Sequence, residues 1–363
     1  MERTHSMRRL PGRLPRRVLT AVGLLVATAT TLAGCSSGAA KTGDADETAA
    51  GGATSTAAAN SGSGKISLYV IGGKSDDPFW SAVKRGGEDA AKLVKAAGGS
   101  VTFLGPQNYD NLGPDAAKLT LTALSQNPSA IIGPDWVPEN QDSAYQQATG
   151  KGVPVFIYNS GGSAAAEKVG GLKYIGSDDY EAGKAGGVKF AEAGAKNILC
   201  VNTLPGGANS EARCDGIKDG AKSKGATSKQ LALPSSSFGN PSAVTQAIKG
   251  ALLKDSSVDA LVTIGVGDAD SAAAAIKQAG IGDKVDLGTF DVSQTQLDRI
   301  KAGDQLFAID QQPYLQGFYA VSMAYQYLAY GLFPPQDPLL TGPLLITEDN
   351  VAQAIEGTKS GVR

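Results

Sequence analysis

The sequence predicts an α/β protein with two Rossmann-like lobes, in which helices flank parallel sheets. Short apolar runs alternate with amphipathic stretches from Lys65 onward, and strands separated by single helices form βαβ units with parallel strands. About eight such units exceed one sheet, and 363 residues suit two domains of about 100–200 residues each. A (β/α)8 barrel is the rival architecture, because its length is similar.

The strand candidates are short runs rich in Ile, Val, Leu and Phe. In chain order they cover residues 66–71, 101–104, 130–132, 153–158, 197–201, 260–264, 285–289 and 305–309. Apolar residues spaced three and four apart predict the helices between them. The first contains Trp80, Val83 and Val94, and the others cover residues 115–125, 140–150, 179–193, 210–224, 242–253, 270–279 and 313–329.

The N-terminus has the layout of a secretory signal. Six arginines precede an apolar run at 18–32 that is too short and too rich in Ala and Thr to span a membrane. The run ends in Leu32-Ala33-Gly34-Cys35, which resembles a bacterial lipobox. Residues 1–34 are therefore predicted to be a lipoprotein signal peptide and Cys35 the lipidated residue. A plain signal peptide with an incidental Cys is the alternative.

Residues 35–64 contain no aromatic residue and no Val, Leu, Ile or Met. A segment of this composition cannot offset its ordering entropy by burial, so it is predicted to be a disordered tether.

Composition excludes several kinds of chemistry. The chain has one histidine, His5, and export would remove it, which leaves no imidazole for a catalytic triad or a His-ligated metal. Without residues 1–34 the chain has 27 basic and 34 acidic residues, a net charge of −7. That balance argues against nucleic acid and anionic lipid as ligands. No cofactor, metal site or catalytic residue is predicted, and membrane attachment is expected through the lipid alone.

Ligands of open α/β sheets bind beyond the carboxyl ends of the strands, and functional side chains follow seven predicted strands. They are Asp76 to Trp80, Asp135 and Trp136, Asn159 to Gly162, Asn202 to Arg213, Asp268, Asp291, and Gln311 to Pro313. Rings stack on sugar C–H faces, and carboxylate, amide and guanidinium groups bond neighbouring hydroxyls, which suits a neutral polyhydroxylated ligand. Gly72-Gly73-Lys74 and Gly265-Val266-Gly267 match phosphate-binding loops poorly, so no nucleotide is expected.

Four segments resemble the ribose-binding type of bacterial periplasmic binding proteins, in the family's order, from about Lys65 to the C-terminus. They are Asp77-Pro78-Phe79-Trp80, Arg213-Cys214-Asp215-Gly216-Ile217, Thr289-Phe290-Asp291 and Gln311-Gln312-Pro313-Tyr314-Leu315-Gln316-Gly317. The resemblance implies the periplasmic binding protein-like I fold, with a three-crossing hinge, in a solute-binding lipoprotein that delivers a monosaccharide to an ABC permease. The first lobe is then expected at 65–173 plus about 311–335, and the second at 174–310 plus about 336–363.

The resemblance also implies ligand-binding residues. Phe79 and Trp80 match a ring-stacking pair, and the polar matches are Asp77, Asn159, Arg213, Asp268 and the hinge residue Gln311. Asp135, Trp136 and Asp291 are further candidates. Ser160 stands where ribose binders of this type have Arg, so the identity of the sugar stays open.

Each candidate has a structural alternative. Asp77 could cap a helix, Phe79 and Trp80 could be core residues, Asn159 a turn residue and Arg213 part of a salt bridge. Asp270 competes with Asp268, Gln312 competes with Gln311, and Asp291 could orient its neighbours.

Cys200 and Cys214 are predicted to form a disulfide. Two cysteines of an exported protein are expected to pair, and one strand–loop–helix turn could bring a strand end and an early helix position within range. Two buried free thiols are the alternative.

The leading functional hypothesis is a monomeric, non-enzymatic sugar-binding lipoprotein on the outer face of the cell membrane or in the periplasm. The main alternative is a surface-anchored glycoside hydrolase, which needs two carboxylates and no His. It is disfavoured because no Glu follows a predicted strand. A ligand sensor with the same fold is a third hypothesis.

Overall fold

The computed structural model describes residues 65–363. The predicted signal peptide at 1–34, the lipidation residue Cys35 and the tether up to residue 64 lie outside this range. The described part of the chain forms two lobes, and each lobe has a six-stranded sheet at its centre.

The first sheet has the order β11-β5-β4-β3-β1-β2, and all its neighbouring strands are parallel. Its strands are β1 (Ser67–Ile71), β2 (Ser100–Leu104), β3 (Ala130–Gly133), β4 (Val155–Tyr158), β5 (Tyr174–Ser177) and β11 (Leu339–Gly342). The helices of this lobe are α1 (Pro78–Ala96), α2 (Leu112–Ser125), α3 (Pro138–Gly150), α4 (Gly162–Lys168) and α10 (Pro313–Tyr330).

The second sheet has the order β12-β10-β9-β8-β6-β7, and only the β10–β12 pair is antiparallel. Its strands are β6 (Asn197–Asn202), β7 (Thr227–Ala232), β8 (Ala260–Thr263), β9 (Asp286–Phe290), β10 (Phe307–Asp310) and β12 (Leu344–Ile346). The helices of this lobe are α5 (Asp179–Ala193), α6 (Ala208–Ser223), α7 (Pro241–Lys254), α8 (Val266–Ala279), α9 (Gln294–Ala302) and α11 (Val351–Lys359).

Both faces of each sheet are covered, which explains why the central strands read as continuous apolar runs. In the first lobe, Leu68 and Phe156 pack with α1 and α10 on one face, and Ile131 and Ile157 pack with α3 on the other. Helices α1 and α10 approach closely at Gly317, where an added Cβ would lie 1.9 Å from the Val83 carbonyl oxygen.

The predicted fold class is confirmed, since two separate open sheets of mainly parallel strands exclude the barrel. Three crossings join the lobes: β5 to α5, β10 to α10, and β11 to β12. Within residues 65–363, none of the helices combines the length and the apolar character that a bilayer crossing requires.

The predicted lobe boundaries near residues 173 and 335 are wrong. Both β5 and β11 belong to the first sheet, so the first crossing follows Ser177 and the third lies at Gly342-Pro343. Both strands have four residues, which is too short for a period to stand out in the sequence.

Candidate functional site

A cleft of about 610 Å³ lies between the two lobes, beyond the carboxyl ends of both sheets. Most predicted ligand residues line it: Asp77, Phe79, Trp80, Trp136, Asn159, Arg213, Asp268, Asp291 and Gln311. They come from both lobes and from the hinge, so the two lobes share the walls of the cleft.

The first lobe contributes mainly aromatic rings. The Trp80 ring centroid lies 5.2 Å from Phe79, 5.4 Å from Trp136 and 6.0 Å from Tyr158, each pair edge to face. Trp80 is half-buried and Trp136 is buried. The ring cluster gives this side of the cleft an apolar wall.

Asp77 fixes the start of α1, which carries Phe79 and Trp80. Its Oδ1 accepts hydrogen bonds from the backbone N–H groups of Phe79 (2.9 Å) and Trp80 (3.4 Å), the geometry of an N-cap. Its Oδ2 accepts from the Tyr109 hydroxyl at 3.0 Å. Burial raises the pKa of Asp77, and these hydrogen bonds oppose the increase. Asp77 therefore both caps the helix and lines the cleft.

Asn159 follows β4 in the left-handed region, with φ 63°, and is only 3% exposed. Its Nδ2 donates to Gln316 Oε1 at 3.2 Å, and Gln316 Nε2 donates to the Gln311 carbonyl oxygen at 3.3 Å. This chain of amides connects the first lobe to the hinge.

Arg213 is the main cation of the second-lobe wall and is 3% exposed. Its Nε donates to Asp179 Oδ1 at 2.8 Å, and its Nη1 donates to the Ile264 carbonyl oxygen at 2.9 Å. The guanidinium lies 4.6 Å from the Phe290 ring centroid. The salt bridge weighed as an alternative is present, while Arg213 also lines the cleft.

Two buried carboxyl groups and one amide complete the polar wall. Burial raises the pKa of Asp268 and of Asp291 to about 6 each. Asp268 Oδ2 accepts from Thr203 Oγ1 at 2.7 Å, and Asp291 Oδ1 accepts from Gln311 Nε2 at 2.5 Å. Gln311 Oε1 is buried and has no hydrogen-bond partner within residues 65–363.

Asp270 lines the cleft as Asp268 does, but both competing residues form hydrogen bonds of their own. Asp270 Oδ1 accepts from Gln296 at 2.9 Å and from Arg299 at 2.6 Å, and Gln312 Nε2 donates to the Thr341 carbonyl oxygen at 2.5 Å. Gln312 is absent from the residues that line the cleft. These contacts favour Asp268 and Gln311 over Asp270 and Gln312.

The prediction that Asp135 is a candidate ligand residue is wrong, because Asp135 does not line the cleft. Its side chain is fully buried near Asp142, which pairs with Lys168 at 2.6 Å. Burial, together with Asp142, raises the pKa of Asp135 to about 7. Trp136, the next residue in the loop that follows β3, lines the cleft instead.

Sequence reasoning missed two aromatic residues of the cleft, Tyr109 and Phe238. Tyr109 follows β2, so the strand-end rule could have found it had the search extended five residues past Leu104. Phe238 follows β7, whose polar sequence Thr-Ser-Lys-Gln-Leu-Ala is not typical of a buried strand.

Cys200 and Cys214 are bonded, with their Cα atoms 5.7 Å apart. The bond connects β6 to α6 directly beside Arg213. No cluster of three or more His, Cys, Asp or Glu side chains that could hold a metal occurs among residues 65–363.

The family, the curated relative and the solved structures that this chain resembles are all binding proteins or carbohydrate transporters. Residues 68–332 match the periplasmic binding protein domain family. The chain is 27% identical over 309 residues to the xylose/arabinose-binding protein XylF of Sulfolobus acidocaldarius, covering 78% of this chain and 71% of that protein.

Solved structures show the same fold. A carbohydrate transporter from Acidothermus cellulolyticus in complex with myo-inositol aligns with a TM-score of 0.74 and 26% identity, over 83% of this chain and all of that one. GanP, a glucose-galactose binding protein from Geobacillus stearothermophilus, aligns with a TM-score of 0.69 and 20% identity, over 79% of this chain and 99% of that one.

Proposed function

This chain belongs to the periplasmic binding protein domain family, and we propose that it binds a monosaccharide or related polyol between its lobes and delivers it to the permease of an ABC importer. The observation that carries this proposal is the composition of the cleft: rings on one wall and buried acceptors on the other, with Gln311 Oε1 unpartnered. Ring faces suit sugar C–H groups, and buried acceptors suit hydroxyl donors. The similar proteins that bind xylose, arabinose and myo-inositol support the same ligand class.

The proposed function is binding without turnover. The family is one of binding proteins, and the chain has no histidine beyond His5. Aspartates of the cleft are ascribed to ligand hydrogen bonding rather than to acid and nucleophile roles. Hydrolysis of chromogenic glycosides by the purified chain would contradict this assignment and favour the hydrolase alternative.

The experiment that tests binding uses intrinsic fluorescence. The chain has two tryptophans, Trp80 and Trp136, and both line the cleft, so their emission reports directly on its occupancy. We would titrate the full chain with xylose, arabinose, myo-inositol, glucose and galactose. A saturable change in tryptophan emission is expected with at least one of these sugars. At a thousandfold excess of that sugar over its Kd, the free energy of unfolding should rise by about 4 kcal/mol, which raises the melting temperature.

Matched variants make the titration specific. Arg213→Ala is expected to abolish the response, whereas Lys224→Ala, a surface cation paired with Glu192 outside the cleft, should retain it. No change in fluorescence or melting temperature with any of the five polyols would overturn the proposed sugar binding.

We further propose that the protein is an exported monomer, anchored through a lipid on Cys35 and through nothing else. The arginine-rich start, the apolar run and the lipobox-like Leu32-Ala33-Gly34-Cys35 support this proposal. Cys35→Ser is expected to move the protein from the membrane fraction of cells to the soluble fraction. Unchanged membrane association of the variant would contradict the anchor.

A further inference from the structure

The crossing from β10 to α10 contains a strained turn. Gln311 and Gln312 make this connection, and Gln312 lies in the left-handed region, with φ 53° and ψ 61°. A residue with a side chain rarely adopts this conformation unless surrounding contacts hold it. The side chain of Gln311 lines the cleft, so the contacts that hold the turn also determine where Gln311 points.

Asp310 and Thr341 hold the turn. Asp310, the last residue of β10, is fully buried, and its Oδ1 accepts a hydrogen bond from the Gln312 backbone N–H at 2.7 Å. Thr341 Oγ1 donates to the Gln311 carbonyl oxygen at 2.8 Å, and the Thr341 carbonyl oxygen accepts from Gln312 Nε2 at 2.5 Å. Of these groups, only the Asp310 carboxyl can change its charge.

The second carboxylate oxygen of Asp310 faces Arg363. Asp310 Oδ2 is buried and has no hydrogen-bond partner within residues 65–363, whereas Arg363 Nε lies 3.1 Å from it. The contact is therefore ionic rather than a directed hydrogen bond. The Arg363 side chain is 14% exposed, so salt and water screen the pair only weakly. Arg363 thus supplies the charge that compensates a fully buried carboxylate.

Arg363 is held in place by α11 and by the first lobe. The Val362 backbone N–H donates to the Gly357 carbonyl oxygen at 3.1 Å. The Arg363 side chain packs against Gly357, where an added Cβ would lie 2.9 Å from Arg363 Cδ. On the other side, Arg85 Nε of α1 donates to the Gly361 carbonyl oxygen at 2.7 Å. These contacts fix the guanidinium beside the turn.

The charge of Asp310 depends on this pair. Burial raises the pKa of Asp310, while the Gln312 N–H and the Arg363 charge oppose the increase. Burial and, to a smaller extent, the Asp310 charge raise the pKa of Asp291, which accepts a hydrogen bond from Gln311 Nε2. An ionised carboxylate is a stronger acceptor than a neutral carboxyl. Loss of the Arg363 charge should therefore weaken the hydrogen bond that holds Gln312.

We propose that Arg363 is a positioning residue for the ligand contact of Gln311. Its guanidinium keeps Asp310 ionised, Asp310 holds the turn at Gln312, and the turn directs the Gln311 side chain into the cleft. The proposal rests on the proposed sugar-binding function, in which the unpartnered Gln311 Oε1 accepts a hydrogen bond from a sugar hydroxyl. Arg363 does not itself line the cleft, so it acts on the ligand only through the turn.

The first test is a double-mutant cycle on sugar affinity, measured by calorimetry. Arg363→Met keeps a long side chain but removes its charge, and Kd should rise about three- to tenfold. Asp310→Asn keeps an acceptor for the Gln312 N–H and removes the charge that Arg363 compensates. Arg363→Met should therefore have no further effect in the Asp310→Asn background. An equal loss of affinity in both backgrounds would overturn the proposal, because Arg363 would then act by another route.

Matched variants test the role of the charge. Arg363→Lys retains the positive charge and should keep most of the affinity. Lys359→Met removes an exposed cation of α11 that pairs with Glu356, and it should leave Kd unchanged. A loss in Arg363→Lys equal to that in Arg363→Met would show that the charge is not what matters and would overturn the proposal.

A pH profile separates positioning from a loss of packing. Without the Arg363 charge the pKa of Asp310 should rise, so the affinity of Arg363→Met should fall furthest below that of the wild type at low pH. It should recover toward the wild-type affinity as the pH increases. Asp268 and Asp291 titrate in both proteins, so their contributions largely cancel in the ratio of the two affinities. A ratio independent of pH would indicate damaged packing and would contradict the proposal.

A measurement without sugar distinguishes failure of this proposal from failure of the proposed function. In the isotopically labelled full chain, the backbone amide resonance of Gln312 should report the charge of Asp310. Its titration midpoint should move to higher pH in Arg363→Met and not in Lys359→Met. An unmoved midpoint would overturn the role of Arg363. A moved midpoint in a chain that binds none of the polyols would leave that role in the turn standing and reject the sugar.

Discussion

The two lobes contribute different chemistry to the cleft. The first lobe presents rings, with Trp80 packed between Phe79 and Trp136. The second presents the buried polar groups Arg213, Asp268 and Asp291. Stacking requires a flat apolar face and tolerates small shifts, whereas buried charged groups require hydroxyls at particular positions. We infer that the first lobe selects for a sugar-like ring and that the second selects among its hydroxyl patterns.

The lobes also differ in how their functional side chains are held. Arg213 is held by a buried salt bridge with Asp179 and by the neighbouring disulfide. The rings of the first lobe depend on a helix cap and on packing. Substitutions in the second-lobe wall should therefore cost more stability than substitutions in the first-lobe wall.

The largest effect is expected for Arg213→Ala. The substitution leaves Asp179, 9% exposed, without its ionic partner, and removing one member of a buried pair typically costs about 3–5 kcal/mol. The free energy of unfolding, measured by urea denaturation, should fall by about that amount. Lys224→Ala, which removes a surface pair, should change it little. Similar losses in the two variants would contradict the distinction between the buried pair and the surface pair.

The disulfide gives the next largest effect. Cys200 and Cys214 are 14 residues apart, and a closed loop of that length contributes about 3 kcal/mol in the chain-entropy model. Cys200→Ala combined with Cys214→Ala should lower the free energy of unfolding by that order. Hydrogen exchange should accelerate mainly in α6, where Arg213 lies. If hydrogen exchange accelerated equally in the first lobe, the expectation that the disulfide stabilises mainly α6 would be wrong.

The buried carboxyls of the second lobe predict a pH dependence. The pKa of Asp268 and of Asp291 is raised from 3.8 to about 6 in the folded chain. Between the unfolded and the folded pKa, the folded state therefore binds more protons than the unfolded state. Their contribution to stability is therefore most favourable at low pH and declines as the pH rises from about 4 to about 6.

The affinity for sugar should rise with pH, opposite to stability, because the hydroxyl donors of a sugar favour the ionised carboxylate. We expect affinity to increase about tenfold per carboxylate between pH 5 and pH 7, with proton release measurable by calorimetry in buffers of different ionisation enthalpy. Asp268→Asn and Asp291→Asn should each flatten part of the profile. A profile that stays unchanged in both variants would remove these groups from the binding equilibrium.

The smallest effect is expected in the first lobe. Trp80→Leu removes the central ring of the cluster but no charge, and one aromatic contact contributes about 0.5–1.5 kcal/mol. Sugar affinity, measured by calorimetry, should fall about two- to tenfold. Leu332→Ala, at an exposed apolar position outside the cleft, is the control. A loss of affinity as large as that caused by Arg213→Ala would contradict the ranking of the two walls.

Local sequence was sufficient to predict the fold class, most of the cleft and the disulfide. Alternating apolar runs and helical periods were sufficient for two α/β lobes, because each strand and helix buries its own apolar face. The strand-end rule located most of the cleft, because parallel strands place their carboxyl ends at one edge. It identified Trp80, Arg213 and Asp268. Two cysteines in a chain predicted to be exported were sufficient to predict their pairing.

Only the tertiary structure decided which way side chains point and which distant segments meet. Asp135 and Trp136 follow the same strand, yet only Trp136 lines the cleft, since the direction of each side chain in a loop depends on the contacts that the loop makes. The short strands β5 and β11 were assigned to a lobe by their partners in the first sheet. Tyr109 and Phe238 are 129 residues apart in the sequence and touch only because the hinge brings two lobes together, a contact that no local pattern encodes.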